Sequence, residues 1–320
     1  MTSAPTPTPP AAGVLRRKDV LGLEDFERDE IETVLRQSGS FRDVMQRQIK
    51  KVPTLRGKSV VTLFYESSTR TRSSFELAAK VMSADAINLT ATASSVTKGE
   101  SLKDTALTLE AMGMDLIVIR HPTSGAAAYV AGCVGIPVIN AGDGMHEHPT
   151  QGLLDLFTIR EHKGRIDGLK VLIVGDITHS RVARSNIWGL TRMGTEVRVC
   201  GPATLIPPGI EQPGVRLYER LDEAIDGVDV VYVLRIQMER QQRGLFPTLR
   251  EYSERWGVNP RRLESASPDV VVMHPGPMNR GLEISPEVAD AGYSVITSQV
   301  SNGVAVRMAL LYLLLGRGES

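Results

Sequence analysis

The sequence predicts an α/β protein of two similar-sized domains, each a mainly parallel sheet with helices on both faces. Three observations carry this expectation. Short apolar runs alternate with helical patterns almost end to end. Several runs are continuously apolar, among them Leu116-Ile117-Val118-Ile119 and Val270-Val271-Val272-Met273, as strands covered on both faces should be. A chain of 320 residues has the length of two ordinary domains, each able to bury its own core.

In chain order, residues 1–12 are almost entirely Ser, Thr, Pro and Ala, a composition that cannot pack a core and predicts a disordered tail over 1–13. The segment lacks the basic start and apolar stretch of a secretory signal. Strands are expected at 59–64, 86–90, 115–119 and 136–139, then at 169–174, 196–200, 228–234, 269–273 and 294–297. The first domain is assigned to 14–149 and the second to 150–301. Gly142-Asp143-Gly144 closes the loop after the fourth strand, and Pro149 suits the first turn of a helix running to about His162. The C-terminal helix, patterned over 302–315 and assigned to 302–320, is apolar on most faces. That predicts burial between the domains, with the helix completing the first one. Its most apolar part, 308–315, is far shorter than the roughly 20 residues a bilayer requires.

Lys plus Arg equals Asp plus Glu, 37 each, so the charge balance points to no nucleic-acid or membrane partner, and any cationic site must be local. Cys133 and Cys200 stand alone, outside any CxxC spacing, which fits a reducing, cytoplasmic setting without disulfides. His146-Glu147-His148 lacks further His or Cys at ligand spacing, so neither a metal nor an organic cofactor is expected.

The stretch Phe64-Tyr65-Glu66-Ser67-Ser68-Thr69-Arg70-Thr71-Arg72 joins an apolar strand to an amphipathic helix marked by Phe75, Leu77, Ala78 and Met82. Ser67 or Ser68 is placed to be the N-cap, leaving first-turn N–H groups directed outward. Those donors and the positive end of the helix dipole attract an anion. Hydroxyls and guanidiniums in succession add the bidentate geometry that phosphate oxygens accept. A phosphate site is expected there.

Other polar residues fall at strand ends, where open α/β sheets bind ligands. Arg120-His121 follows the third strand, and His148 and Gln151 follow the fourth. In the second half, Arg181 follows Val174-Gly175-Asp176, Arg235 with Gln237 and Arg240 follows 230–234, and His274-Pro275-Gly276-Pro277 follows Met273. Two arginines at separate strand ends suit a ligand with carboxylates. Each residue alone has an ordinary structural reading. Their shared placement puts an active site in the cleft between the domains.

Six blocks together resemble the aspartate/ornithine carbamoyltransferase superfamily, and within it the catalytic chains that act on aspartate. They are 68–72 (Ser-Thr-Arg-Thr-Arg), Lys98-Gly99-Glu100, Arg120-His121-Pro122, His148-Pro149-Thr150-Gln151, Arg235-Ile236-Gln237-Met238-Glu239-Arg240 and His274-Pro275-Gly276-Pro277. The resemblance implies transfer of a carbamoyl group from carbamoyl phosphate to the amino group of L-aspartate, in pyrimidine synthesis. By similarity, Ser68, Thr69, Arg70 and Thr71 hold the phosphate. Thr71, Arg120 and His148 bind the carbamoyl oxygen, and Gln151 with the backbone of Gly276 and Pro277 the amide. Arg181, Arg235 and Gln237 take the aspartate carboxylates. Lys98, with Ser94 or Ser95, reaches in from the neighbouring subunit of a homotrimer. Two departures stand out: Gly276 replaces a bulkier apolar residue of the best-studied bacterial form, and Met278-Asn279-Arg280-Gly281 resembles chains that associate with dihydroorotase or a related inactive chain. A higher assembly with dihydroorotase or a regulatory chain is compatible with the resemblance. An ornithine-specific enzyme and a non-catalytic phosphate-binding protein are the competing readings. Three nearby cations (Lys98, Arg181, Arg235) argue against the first, and the lack of G-x-G-x-x-G weakens the second.

Overall fold

The computed structural model describes residues 15–90, 100–236 and 248–316. The chain builds two sheets in sequence, every strand pair parallel. The first contains β1 (Ser59–Phe64), β2 (Asp85–Thr90), β3 (Leu116–His121) and β4 (Val138–Asp143), in the spatial order β2-β1-β3-β4. The second contains β5 (Lys170–Val174), β6 (Glu196–Cys200), β7 (Val215–Tyr218), β8 (Val230–Val233) and β9 (Val271–Met273), in the order β7-β6-β5-β8-β9. The two-domain α/β expectation holds. In each sheet the chain builds outward from a first strand and then crosses to its other side, between β1 and β3 and between β5 and β8. Crevices at such reversals, at the carboxyl ends of the strands, receive ligands.

Helices α1 (Arg28–Gln46), α2 (Thr69–Val81), α3 (Leu102–Ala111), α4 (Ala126–Ala131), α5 (Pro149–Lys163) and α6 (Arg181–Arg192) are followed by the short α7 (Leu221–Ala224). Then come α8 (Leu249–Trp256), α9 (Pro260–Leu263), α10 (Pro286–Ala289) and α11 (Ile296–Leu315). Pro149 opens α5 at its first turn, where its missing N–H is no loss, and Gly164 ends it in the left-handed region at φ 72°. α5 packs on α6, and α11 packs on α1, α2 and α5. One apolar core runs through them, from Val60 and Phe75 through Leu153 and Leu156 to Val171 and Leu190, with Leu310 and Leu311 of α11 inside it.

Two expectations need correction, and two elements had not been expected. The run 294–297 is not a strand: Ser294 makes one isolated bridge to Val272, Val295 donates to Val272 O at 3.0 Å, and the chain then turns into α11. The helix therefore begins at Ile296 rather than 302, because Gln299 N–H already bonds Val295 O. At 20 residues α11 is long and apolar enough to cross a membrane by length and composition, but most of it is buried inside the protein. Strand β7 escaped the sequence pattern because it is a four-residue edge strand behind Pro213-Gly214, with only Val215 buried. The 19-residue α1 also has no counterpart among the expected elements; Glu27 and Glu30 close a reciprocal capping box at its start.

Candidate active site

The carboxyl ends of both sheets face one cavity of about 690 Å³. From the first sheet it is lined by Ser68, Thr69, Arg70, Thr71, Arg120, His148 and Gln151, and from the second by Arg181, Arg235, Gly276 and Pro277. Every expected site residue within the described range is among them. Lys98 and Gln237, with Ser94, Ser95 and Arg240, lie outside the described residues.

The corner where a phosphate is expected begins at α2. Ser68 is its N-cap, and the Ser68 side chain makes no capping bond. The hydroxyl and the first-turn N–H groups are thus available at the cavity wall, at the positive end of the helix dipole. Thr71, one turn into α2, is buried. Arg70 meets the second domain here: its guanidinium lies against the backbone of Gly276, where a Cβ would collide with Arg70 Nη1. Gly276 also holds φ at +61°, which side-chain-bearing residues resist. The absence of a side chain at Gly276 therefore makes room for Arg70. Loss of water around Arg70, and then the charge of Arg235, lower its pKa from the ordinary guanidinium value. Two cations held this close favour an anion between them.

Beside this corner stands an ionic link that the sequence did not signal. Glu66, after β1, accepts from Arg181 Nη2 at 3.1 and 2.9 Å through its two oxygens, and from Arg120 Nη2 at 3.4 Å. Arg120 Nη1 donates to Ala141 O near the end of β4 (3.1 Å) and Arg181 Nη1 to Gly144 O just after it (3.3 Å), so both guanidiniums are tethered to the carboxyl end of β4. Gly142, at φ +113°, lets them converge: a Cβ there would lie 2.9 Å from Arg181 Cζ and 3.3 Å from Arg120 Nη1. The only hint in the sequence was a single acid inside a run of donors.

His148 is buried at the start of α5. Its backbone N–H donates to Ser185 Oγ of α6 (2.9 Å), and that hydroxyl donates to Glu147 Oε2 (2.8 Å). Burial holds the imidazole pKa well below its ordinary value, reinforced by Arg120, Arg181 and Arg307. The ring is neutral at physiological pH and offers one N–H donor beside two guanidiniums. Arg307 itself was missed by sequence reading. It is buried on α11, lines the cavity, lies at 5.1 Å over Phe75, and its Nε has no hydrogen-bond partner among the described residues. Desolvation brings its pKa down to about 10. Gly303, one turn earlier, leaves space for the guanidinium, a helical spacing already present in the sequence.

Among the described residues, one group of potential metal-ligand atoms lies within 4.8 Å: Glu24, His146 and Glu147. None of the three lines the cavity. Glu147 already accepts from Leu23 N (2.8 Å), Glu24 N (3.2 Å) and Ser185 Oγ, and His146 Nδ1 faces Asp143 (3.1 Å). These acids are spent on holding the loop before α5.

Two parallel sheets meeting at a cleft of converging hydroxyls, guanidiniums and the imidazoles of His148 and His274 define a two-domain α/β enzyme for small anionic ligands. The chain belongs to the aspartate/ornithine carbamoyltransferase family: the carbamoyl-P binding domain of that family matches residues 18–161 and its Asp/Orn binding domain residues 167–314. It is 64% identical over 301 residues to the aspartate carbamoyltransferase catalytic subunit of Desulforamulus reducens, covering 94% of this chain and 96% of that one. Identity to the corresponding subunit of Heliobacterium modesticaldum is 61% over 305 residues, covering 95% and 98%. Among solved structures, aspartate transcarbamoylase from Trypanosoma cruzi in complex with carbamoyl phosphate and aspartate superposes with a TM-score of 0.86 at 30% identity, covering 96% and 99% of the two chains. The catalytic subunit of M. jannaschii aspartate transcarbamoylase gives 0.83 at 36%, covering 95% and 100%. Ornithine carbamoyltransferase from Pyrococcus furiosus gives 0.85 at 29%, covering 96% and 100%, so the backbone alone does not separate the two activities.

Proposed function

We propose that this enzyme transfers the carbamoyl group of carbamoyl phosphate to the amino group of L-aspartate, giving N-carbamoyl-L-aspartate and phosphate for pyrimidine synthesis. The observation that carries the reading is the meeting, around one cavity, of the α2 N-terminus and Arg70 with Arg120 and neutral His148 from one domain and Arg181, Arg235 and the 274–277 turn from the other. Ser68, Thr69, Arg70 and Thr71 hold the phosphate. Thr71, Arg120 and His148 donate to the carbamoyl oxygen, while Gln151 and the backbone at Gly276 and Pro277 accept from its NH2. Arg181, Arg235 and Gln237 bind the aspartate carboxylates, with Lys98 supplied by a neighbouring subunit.

The chemistry follows from these placements. The aspartate amine attacks the carbamoyl carbon, the C=O electrons move to oxygen, and the tetrahedral oxyanion is met by donors already aimed at it. The oxyanion's electron pair then re-forms C=O as the C–O bond to phosphate breaks, the proton on the attacking nitrogen passes to an oxygen of the departing phosphate, and the phosphate leaves with its charge balanced by Arg70. No covalent protein intermediate, metal or organic cofactor enters this sequence. A neutral His148 suits the role, because it donates without having to lose a charge.

On this reading the first domain, closed by α11, is the carbamoyl phosphate-binding one and the second the aspartate-binding one. The enzyme is cytoplasmic and assembles as a homotrimer with shared sites. An assay offering carbamoyl phosphate with either aspartate or ornithine tests the function. Turnover with aspartate alone supports it, turnover with ornithine transfers the protein to the other branch, and none with either removes it from catalysis. Mixing Lys98→Ala and Arg70→Ala chains tests the shared site: random reassembly should restore about one site in four.

A further inference from the structure

Behind the cavity a carboxylate is shut away from solvent. Asp155, on α5, is 0% exposed and takes four hydrogen bonds. Gln151 Nε2 (3.1 Å) and Gln299 Nε2 (2.7 Å) donate to Oδ1; Asn186 Nδ2 (3.0 Å) and Tyr232 OH (2.8 Å) donate to Oδ2. The donors sit on α5, α11, α6 and β8, so one carboxyl ties together elements of both domains. Burial raises its pKa to about 6 against the pull of the four donors, which leaves it ionised at neutral pH and above. An ionised carboxylate offers acceptors only.

That has a consequence for the two glutamines. A primary amide has one donating and one accepting end, so the ends facing Asp155 are NH2 and the oxygens lie on the other side. For Gln299 the oxygen accepts the backbone N–H of His274 at 3.0 Å, at the start of the turn that carries Gly276 and Pro277 to the cavity. For Gln151, itself a cavity residue, the oxygen is turned away from Asp155.

We propose that Asp155 is a specificity-determining positioning residue: it fixes the polarity of the Gln151 amide so that the cavity offers a carbonyl oxygen to an NH2 donor on the transferred group, and through Gln299 it holds the 274–277 turn. The inference rests on the carbamoyl phosphate site proposed above. A site built to accept from a substrate N–H rejects an analogue that lacks it, because its own polar group is then left unpaired. Acetyl phosphate is that analogue, with CH3 in place of NH2.

The test compares the dissociation constants of carbamoyl phosphate and acetyl phosphate across variants of the intact enzyme. The wild type binds carbamoyl phosphate more tightly, and a wild type without this preference overturns the proposal. Asp155→Asn places a group that both donates and accepts beside Gln151, releases its polarity, and lowers the preference about tenfold or more by weakening carbamoyl phosphate alone. An equal loss for both ligands means only damaged packing, and no loss means no role; either overturns the proposal. The double variant Asp155→Asn/Gln151→Glu keeps one buried carboxylate and a hydrogen bond between the two positions, and turns only acceptors to the cavity. It retains the preference, and its failure to do so overturns the proposal even where the single variant does not fold. Gln151→Met separates the two levels of the argument. If it leaves the preference intact, the proposed amide site fails; if it lowers the preference while Asp155→Asn does not, Asp155 alone is dismissed.

Discussion

The first sheet brings most of its contribution to the cavity in one stretch, residues 66–71, whereas the second brings Arg181, Arg235 and the 274–277 turn from three separate connections. The first half is a local device: an N-cap, a helix dipole and side-chain donors that are neighbours in the chain. The second is a tertiary one, and it works only because β5, β8 and β9 lie side by side with their carboxyl ends toward the first domain. A local device tolerates change elsewhere in the fold. A tertiary device depends on links such as Glu66 to Arg181, which crosses from one domain to the other.

Removing the centre of the local device should have the largest effect. Arg70→Ala is expected to lower kcat by on the order of 10²–10³ or more while circular dichroism and assembly stay unchanged. Near-normal turnover in the folded variant would show that the helix N-terminus suffices without the guanidinium. Arg235→Ala attacks the tertiary device. Loss of a hydrogen bond to a charged group is worth about 1.5–3 kcal/mol, so KM for aspartate should rise at least about tenfold with KM for carbamoyl phosphate little changed. An equal rise in both would erase the distinction between the halves.

Gly276→Ala tests the seam where the two devices touch. Its Cβ would displace Arg70, and φ of +61° would cost about 1–2 kcal/mol, so KM for carbamoyl phosphate should rise roughly tenfold. An unchanged KM would show that Arg70 does not need the glycine.

Stability against pH isolates the buried imidazole. The folded pKa of His148 is depressed, so its contribution is complete above the ordinary value of about 6.5 and is lost as pH falls toward the folded pKa. Urea unfolding should show wild type losing up to about 1.4 kcal/mol per pH unit below that point relative to His148→Asn. A constant gap between the two proteins from pH 7.5 to about 5 would contradict the burial argument. Ser180→Ala should have the smallest effect: its hydroxyl caps α6 by accepting from Ala183 N at 3.1 Å, and its loss should cost about 1 kcal/mol of stability. If aspartate binding weakens as well, the cap also positions Arg181, and the second half is less dispersed than it looks.

The fold class, most strand positions and the run of donors at the start of α2 were legible in the sequence. Each of these is encoded by residues close in the chain: continuous apolar runs for β3 and β9, and serine, threonine and arginine in succession at the start of α2. Tertiary structure decided the rest. The run 294–297 has strand-like residues, yet one bridge to Val272 and the continuing helical hydrogen bonds commit it to α11, which in turn carries Gln299 to Asp155 and Arg307 to the cavity. Glu66 reads as one more loop acid until Arg181, 115 positions away, closes on it. Asp155 reads as an interior helix residue until four elements enclose it. Hydrogen-bonding propensity and apolar periodicity act between neighbours in sequence. Desolvation, ion pairing and amide polarity depend on groups that only the folded chain brings together.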